Sequence, residues 1–315
     1  MSSAVESTVP WNVCHCLMLQ LRTRREIIAA LRQRRIHLKK SLGQNLLIDH
    51  NLLALIVREA GVERCDAILE IGAGSGLLTR HLAEAAGHVT TIEIDPQLVP
   101  LFREHTSGLD NITLLQCDVL ESKSKLNPDV LAAAEHALRL PGIRRLKCVA
   151  NLPYSISTIV IALLLEGPLP VELMVSTVQK EVCNRLAARP GTKDYGSLSV
   201  IVQAHARVDV VRVLGPKVFL PEPQVDSAIV RITPSDEILR GISDYATFAG
   251  VARGLFLHRR KKAIGALALL DRFRGSRDRL APAFRAAGVD EAARADQLSI
   301  DQIVRLANAI TAENL

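Results

Sequence analysis

Aromatic side chains are scarce in this sequence: six Phe, three Tyr and one Trp make up 3% of its 315 residues. Any aromatic that falls near a functional edge therefore carries weight. No stretch reaches the roughly 18 uninterrupted apolar residues of a membrane span. The N-terminus also lacks the pattern of a signal peptide, since its apolar stretch from Val13 to Leu21 is broken by His15 and Gln20 and follows no basic region. Cysteine is scattered, at positions 14, 16, 65, 117, 148 and 183. Cys14-His15-Cys16 could be half a metal site, but zinc needs four ligands and no second Cys/His cluster follows. These absences predict a cytoplasmic chain with reduced thiols and no metal. No internal repeat or low-complexity segment interrupts it. Its length and its hydrophobic content of 48% suit one large domain with a small appendage.

Charge is unevenly placed. Gln20 to Lys40 holds eight Lys/Arg against one acid, and Val251 to Leu280 holds nine against two. The remaining 22 basic and 30 acidic residues make the rest of the chain net acidic. Two basic blocks on an acidic body point to a polyanion partner, phosphate backbones being the usual one, although a charge run can equally be a solvated helix face.

Residues 1–20 carry no periodicity and read as poorly ordered. Arg24–Ile36 suits a basic helix with Ile27, Ile28 and Leu31 on its apolar face, and His50–Val57 a second helix stopped by Gly61. Short apolar runs at Ala67–Ile71, Val89–Ile94, Ile112–Gln116, Leu146–Ala150 and Val171–Val178 then alternate with helical patterns. Those patterns lie at Leu77–Ala86, Gln97–Glu104, Pro128–Leu138, Ser157–Glu166 and Lys180–Ala188. Such alternation predicts a mostly parallel, doubly wound α/β sheet. Ala206–Val213 and Ser227–Ile232 have no helix between them and are expected to pair as an antiparallel edge hairpin. Beyond Pro234, helices are expected over Tyr245–Leu257, Lys261–Leu270, Arg277–Ala287 and Ile300–Ala312.

Leu69-Glu70-Ile71-Gly72-Ala73-Gly74-Ser75-Gly76 follows the first sheet strand and opens a crossover helix. Its glycines let backbone pass against a nucleoside without a β-carbon in the way. The loop has no lysine of the phosphate-cradling kind. Glu93, 21 residues after Gly72, ends the next strand, where a carboxylate can accept both ribose hydroxyls. Asp118 ends the third strand and can accept an adenine amine, and Asn151 follows the fourth. Ligands of open α/β sheets bind beyond the carboxyl ends of the strands, so these four positions together indicate a nucleoside cofactor.

Asn151-Leu152-Pro153-Tyr154 carries the chemistry. An adenine amine is a poor nucleophile because its lone pair is delocalised into the ring. Acceptors that favour a pyramidal nitrogen, here the Asn151 side-chain carbonyl and a backbone carbonyl beside Pro153, assist its attack on a sulfonium methyl. Pro153 stiffens the loop, and Tyr154 offers a face for an extruded base. The bare tetrapeptide could be an ordinary turn; its place after the fourth strand favours the functional reading.

With these residues the sequence resembles the ribosomal RNA adenine dimethylase family. The resemblance rests on five segments in family order: Lys39–Asn45, Glu70–Gly76, Asn151–Tyr154, Phe219–Ala228 and Phe256–Lys262. It implies a Rossmann-like class I methyltransferase domain over residues 39–234, a small all-helical RNA-contacting domain over 235–315, and a basic, partly disordered extension over 1–38. It further implies S-adenosylmethionine as cofactor, with Asn45 and Leu47 at its methionine end, Gly72 at its floor, Glu93 on its ribose, and Asp118 and Asn151 completing the pocket. Phe219, which alone reads as core, would be the second wall of the target-base pocket opposite Tyr154. Arg259, Arg260, Lys261 and Lys262 would contact RNA. The implied reaction is dimethylation of two adjacent adenosines near the 3′ end of small-subunit rRNA by a monomeric enzyme acting on an immature subunit. Leu46 departs from the family's usual Phe, and altered packing is expected there.

Two other readings share much of this pattern. A large-subunit rRNA adenine methylase of the macrolide-resistance type has the same loop and tetrad, but Lys-Ser-Leu-Gly and the Arg259–Lys262 stretch favour the small-subunit enzyme. A non-catalytic ribosome-assembly or transcription factor on this fold would not need the intact tetrad and acids. A DNA adenine methyltransferase is disfavoured because no target-recognition domain is apparent.

Overall fold

The computed structural model describes residues 23–258, 261–273 and 277–314. The readings of residues 1–20 and of Cys14-His15-Cys16 fall outside them.

The N-terminal basic run opens as helix α1 (Arg24–Gln33), fixed by a reciprocal cap in which the Thr23 hydroxyl accepts from the Glu26 N–H and the Glu26 carboxylate accepts from the Thr23 N–H. Its apolar face, Ile27, Ala30 and Leu31, is buried. The helix is shorter than Arg24–Ile36 because Arg35 takes a positive φ of 54°. A short strand β1 (Leu46–Leu47) precedes α2 (His50–Glu59), whose cap is the Asp49 side chain.

Strand–helix alternation then proceeds through β2 (Asp66–Ile71), α3 (Leu77–Ala85), β3 (His88–Ile92), α4 (Val99–His105) and β4 (Ile112–Leu115). A small ribbon of β5 (Leu120–Ser122) and β6 (Lys125–Leu126) leads into α5 (Pro128–Leu138), with Pro at its first position and Asn127 capping it. Next come β7 (Arg145–Asn151), α6 (Ser157–Glu166), β8 (Val171–Gln179), α7 (Lys180–Leu186) and α8 (Ser197–His205). The hairpin strand β9 (Ala206–Leu214) is followed by a two-residue strand β10 (Phe219–Leu220) and by β11 (Ser227–Pro234).

Seven strands form one sheet in the order β4-β3-β2-β7-β8-β11-β9. The first five are parallel, and β11 and β9 close the edge antiparallel, as the sequence predicts. The later strand of the hairpin, β11, is the inner one. Alternate residues of the central strands face opposite layers: Ile68 and Val149 pack with α1, α2 and α3, while Leu69 and Ala150 pack with α5, α6 and α7. Chain order reverses between β2 and β7, so a crevice opens at their carboxyl ends.

Three features were not anticipated. The segment Ser197–His205 forms α8, whose buried Val200, Ile201 and Ala204 join the C-terminal core. The β5–β6 ribbon and the pairing of β1 with β10 are each too short for periodicity to reveal. Past Pro234 the chain is helical as expected, with α9 (Tyr245–Leu257), α10 (Ala263–Leu267), α11 (Arg277–Ala286) and α12 (Ile300–Ala312). Only α10 is clearly shorter than read, because after Leu267 the backbone tightens to three-residue bonds, Leu269 N–H to the Ala266 carbonyl and Leu270 N–H to the Leu267 carbonyl. Phe248, Leu255, Phe284 and Leu306 form this core with Tyr195, whose hydroxyl donates to the Leu298 carbonyl at 3.0 Å. Among the described residues no helix is long and apolar enough to cross a membrane.

Candidate cofactor and target-base site

The crevice holds a cavity of roughly 240 Å³ lined by Asn45, Gly72, Glu93, Asp118, Asn151 and Pro153, six of the residues singled out from sequence. The two turns of the glycine loop explain how it stays open. Gly72 has a φ of +86°, and a β-carbon there would meet the Pro153 ring at 3.3 Å. Gly74, with φ +57°, lies so close to Leu46 that a β-carbon would sit 2.6 Å from its Cδ2. The Leu46 side chain is therefore in direct contact with the loop and lines the cavity.

Glu93 is buried just beyond the end of β3, and its two oxygens accept from the N–H groups of Gly74 and Asp95, each at 2.8 Å. Burial pushes its carboxyl up, and those N–H donors partly offset the rise. Fixed in this way, it keeps free lone pairs for a diol. Asp118 does not end a strand. β4 stops at Leu115, and Asp118 caps the following turn by accepting from the Leu120 N–H at 2.9 Å, a bond a short acidic side chain makes readily. It is exposed at the cavity's lip. Ile94, 42% exposed beside it, gives an apolar face where a base could lie.

Leu47 does not line this cavity. It is buried on the other face of β1 and borders a smaller adjoining recess with Glu70, Gly72, Gly74 and Asn151. Glu70 is the group that sequence reasoning passed over. Its Oε2 accepts from the hydroxyls of Thr79 and Thr91 at 2.6 and 2.7 Å, while Oε1 has no partner among the described residues. Complete burial pushes its carboxyl up to about 8, against the pull of those two hydroxyls, so it is mostly protonated at neutral pH.

Asn151 ends β7 opposite Thr177 of β8, and the register brings the Thr177 hydroxyl to donate to its Oδ1. Its Nδ2 donates to the Asn45 carbonyl at 2.7 Å, which fixes the amide and ties the β1 segment to the tetrad. Tyr154 is half-buried, and its hydroxyl bonds that of Ser227 at the start of β11. Phe219 is fully buried, with its ring edge-on to Tyr154 at 6.5 Å between centroids. The two rings are thus brought together, touching each other and not facing across a gap. β10 holds Phe219 opposite Leu47 in the β1–β10 pair. Lys261 and Lys262 are exposed; Arg259 and Arg260 lie outside the described residues. No group of three or more metal-ligating side chains occurs among the described residues.

The model of the ribosomal RNA adenine dimethylase family matches residues 35–312. The chain belongs to the ribosomal RNA adenine dimethylase family. Among curated relatives of this dimethylase, the ribosomal RNA small subunit methyltransferase A of Pediococcus pentosaceus is 40% identical over 278 residues, 88% of this chain and 91% of the relative. A dimethyladenosine transferase from Plasmodium falciparum shares the dimethylase's fold at a TM-score of 0.69, with 21% identity over 86% of this chain and 98% of the other. The 23S rRNA methyltransferase ErmE aligns at a TM-score of 0.60 with 27% identity, over 84% and 99%.

Proposed function

We propose that this dimethylase uses S-adenosylmethionine to dimethylate the exocyclic amines of two adjacent adenosines near the 3′ end of small-subunit rRNA. The observation that carries the reading is the convergence of Asn45, Gly72, Glu93, Asp118, Asn151 and Pro153 on one cavity at the β2–β7 crevice of a family member. The small-subunit target follows from relatives such as that of Pediococcus pentosaceus, which match nearly end to end.

The residues suit this cofactor. Glu93 is a fixed, buried acceptor for a ribose, Ile94 and Asp118 offer an apolar face and an acceptor for an adenine, and Glu70, whose Oε1 has no partner among the described residues, borders the recess beside Leu47 on the side of the methionine end. The bound cofactor supplies an electrophilic methyl group. Asn151 then accepts a hydrogen bond from the target amine through Oδ1, whose direction is set by Thr177. The Pro153 segment adds a rigid backbone acceptor. Tyr154 stacks the extruded base, and Phe219 forms its second wall once the two rings part. No strong general base is required, because the amine proton becomes acidic after methyl transfer.

Residues 39–234 carry catalysis and 235–315 contact RNA through Arg259–Lys262, in a cytoplasmic monomer acting on an immature small subunit. The test supplies labelled cofactor and small subunits that lack the modification. Label should enter small-subunit RNA, and reverse transcription should stop at two adjacent adenosines. Label confined to large-subunit RNA would overturn the reading.

A further inference from the structure

Arg24 is the first residue of α1, upstream of the family match, which begins at residue 35. A cation there faces the positive end of the helix dipole, so its local position is unfavourable. Its partners lie about 190 residues along the chain. Nη1 donates to the Lys217 carbonyl at 2.9 Å and more weakly to the Phe219 carbonyl at 3.5 Å, while Nη2 pairs with Glu222 at 2.9 Å. These acceptors bracket β10, the two residues that present the Phe219 ring. The planar guanidinium presents its donors in a fixed fork, so binding a carbonyl and a carboxylate together sets the direction of the segment as well as its distance. The Thr23–Glu26 cap fixes the helix's first turn beneath it. Ile27, Ala30 and Leu31 bury into the same core as Phe219, Leu46 and Leu47. The helix therefore shares a core with both strands of the β1–β10 pair, one flanking the cofactor cavity and the other carrying Phe219.

We infer that Arg24 is a positioning residue for methyl transfer: from the N-terminal helix it clamps the 217–222 segment, so that Phe219 returns to one place relative to Tyr154 when a base enters. The inference rests on the reading of Phe219 as a wall of the target-base pocket. The clamp is half-exposed, and ion pairs of that kind add little stability. Its loss should accordingly appear in rate and not in melting.

The experiment measures single-turnover methylation of small subunits lacking the modification, with cofactor and subunits saturating, alongside cofactor affinity and thermal unfolding. Arg24→Met should slow the step about tenfold, the scale expected for slight misplacement of a reacting group, with cofactor affinity and melting nearly unchanged. Arg24→Lys should recover part of the rate. Arg24→Glu should be slower than Arg24→Met, and adding Glu222→Arg to it should restore much of the loss. A rate within about twofold of wild type for Arg24→Met, while Phe219→Ala is slow, overturns the clamp and leaves the base-pocket reading intact. If Phe219→Ala is also as fast as wild type, the base-pocket reading itself fails, and the clamp with it. Should Arg24→Met fail to fold, Glu222→Gln decides: slower turnover with normal melting supports the clamp, and an unchanged rate overturns it.

Discussion

Gln44 donates its side-chain amide to the buried carboxylate of Asp95 at 3.0 Å, joining two segments that lie 51 residues apart on either side of the cofactor cavity. Lys39 adds an ion pair to the other oxygen at 2.9 Å, and the Gln44 side-chain oxygen accepts from the Lys39 N–H at 2.6 Å. The Asp95 N–H in turn holds Glu93. Segment 39–46 is thereby latched to the strand end that carries the ribose acceptor.

The latch predicts a specific kinetic defect. Burial alone would raise the Asp95 carboxyl, but the bonds from Gln44, Lys39 and the Gln97 N–H outweigh it and hold it below its usual value. Asp95→Asn removes the charge those donors prefer. Cofactor affinity should fall by about tenfold, mostly through faster dissociation, while the rate at saturating cofactor changes little. Stopped-flow binding checks this, and an unchanged dissociation rate would remove the latch from the account of cofactor retention.

Tyr154 and Glu93 should separate cleanly. Tyr154→Ala removes the base-stacking face and should lower turnover by roughly 10- to 100-fold with cofactor affinity nearly intact, because base–aromatic stacking is worth about 1–3 kcal/mol. Glu93→Ala should do the reverse. Calorimetric cofactor titration beside steady-state kinetics distinguishes them. If both substitutions weaken cofactor binding alone, Tyr154 has no role at the base.

Glu70 makes stability depend on pH. Its carboxyl lies near 4.5 when unfolded and is pushed up to about 8 by burial in the folded chain. Between these values the folded state binds more protons, so this group's contribution is full below 4.5 and declines as pH rises towards 8. Glu70→Gln stays neutral throughout. Urea unfolding at intervals across this range should show the wild type losing stability relative to Glu70→Gln as pH rises. Parallel profiles for the two proteins would contradict the shifted carboxyl. Comparing the pair also cancels His105, which burial lowers to about 4 and which contributes the opposite slope between there and 6.5.

Glu93, one residue past β3, and Asn151, the last of β7, were legible in sequence because a residue at a strand's carboxyl end imposes its own position: wherever the sheet forms, that edge collects them. Asp118 was read correctly as lying at that edge but wrongly as ending a strand, since its capping turn begins after Leu115. Thr177, Ser227 and Asp95 were not legible. Their bonds to Asn151, Tyr154 and Gln44 span 26, 73 and 51 residues, and they exist only once strand register and loop packing are known. The C-terminal helices were readable from period alone, yet α8 escaped because its buried face is shared with that distant core.

The basic block after α9 carries the remaining prediction. Lys261 and Lys262 are exposed at the entrance to α10, and their sequence neighbours Arg259 and Arg260 give the stretch four adjacent positive charges. Each phosphate that such a block neutralises releases counterions, so affinity falls with salt in proportion to the number of contacts. Replacing all four with Ala should weaken RNA binding and reduce the slope of log affinity against log salt by about 3, if each cation meets one phosphate. Filter binding over a range of salt concentrations measures both quantities. A weaker complex with an unchanged slope would mean that the block supports the helices around it and does not touch RNA, whereas a flatter slope assigns it to the phosphate backbone.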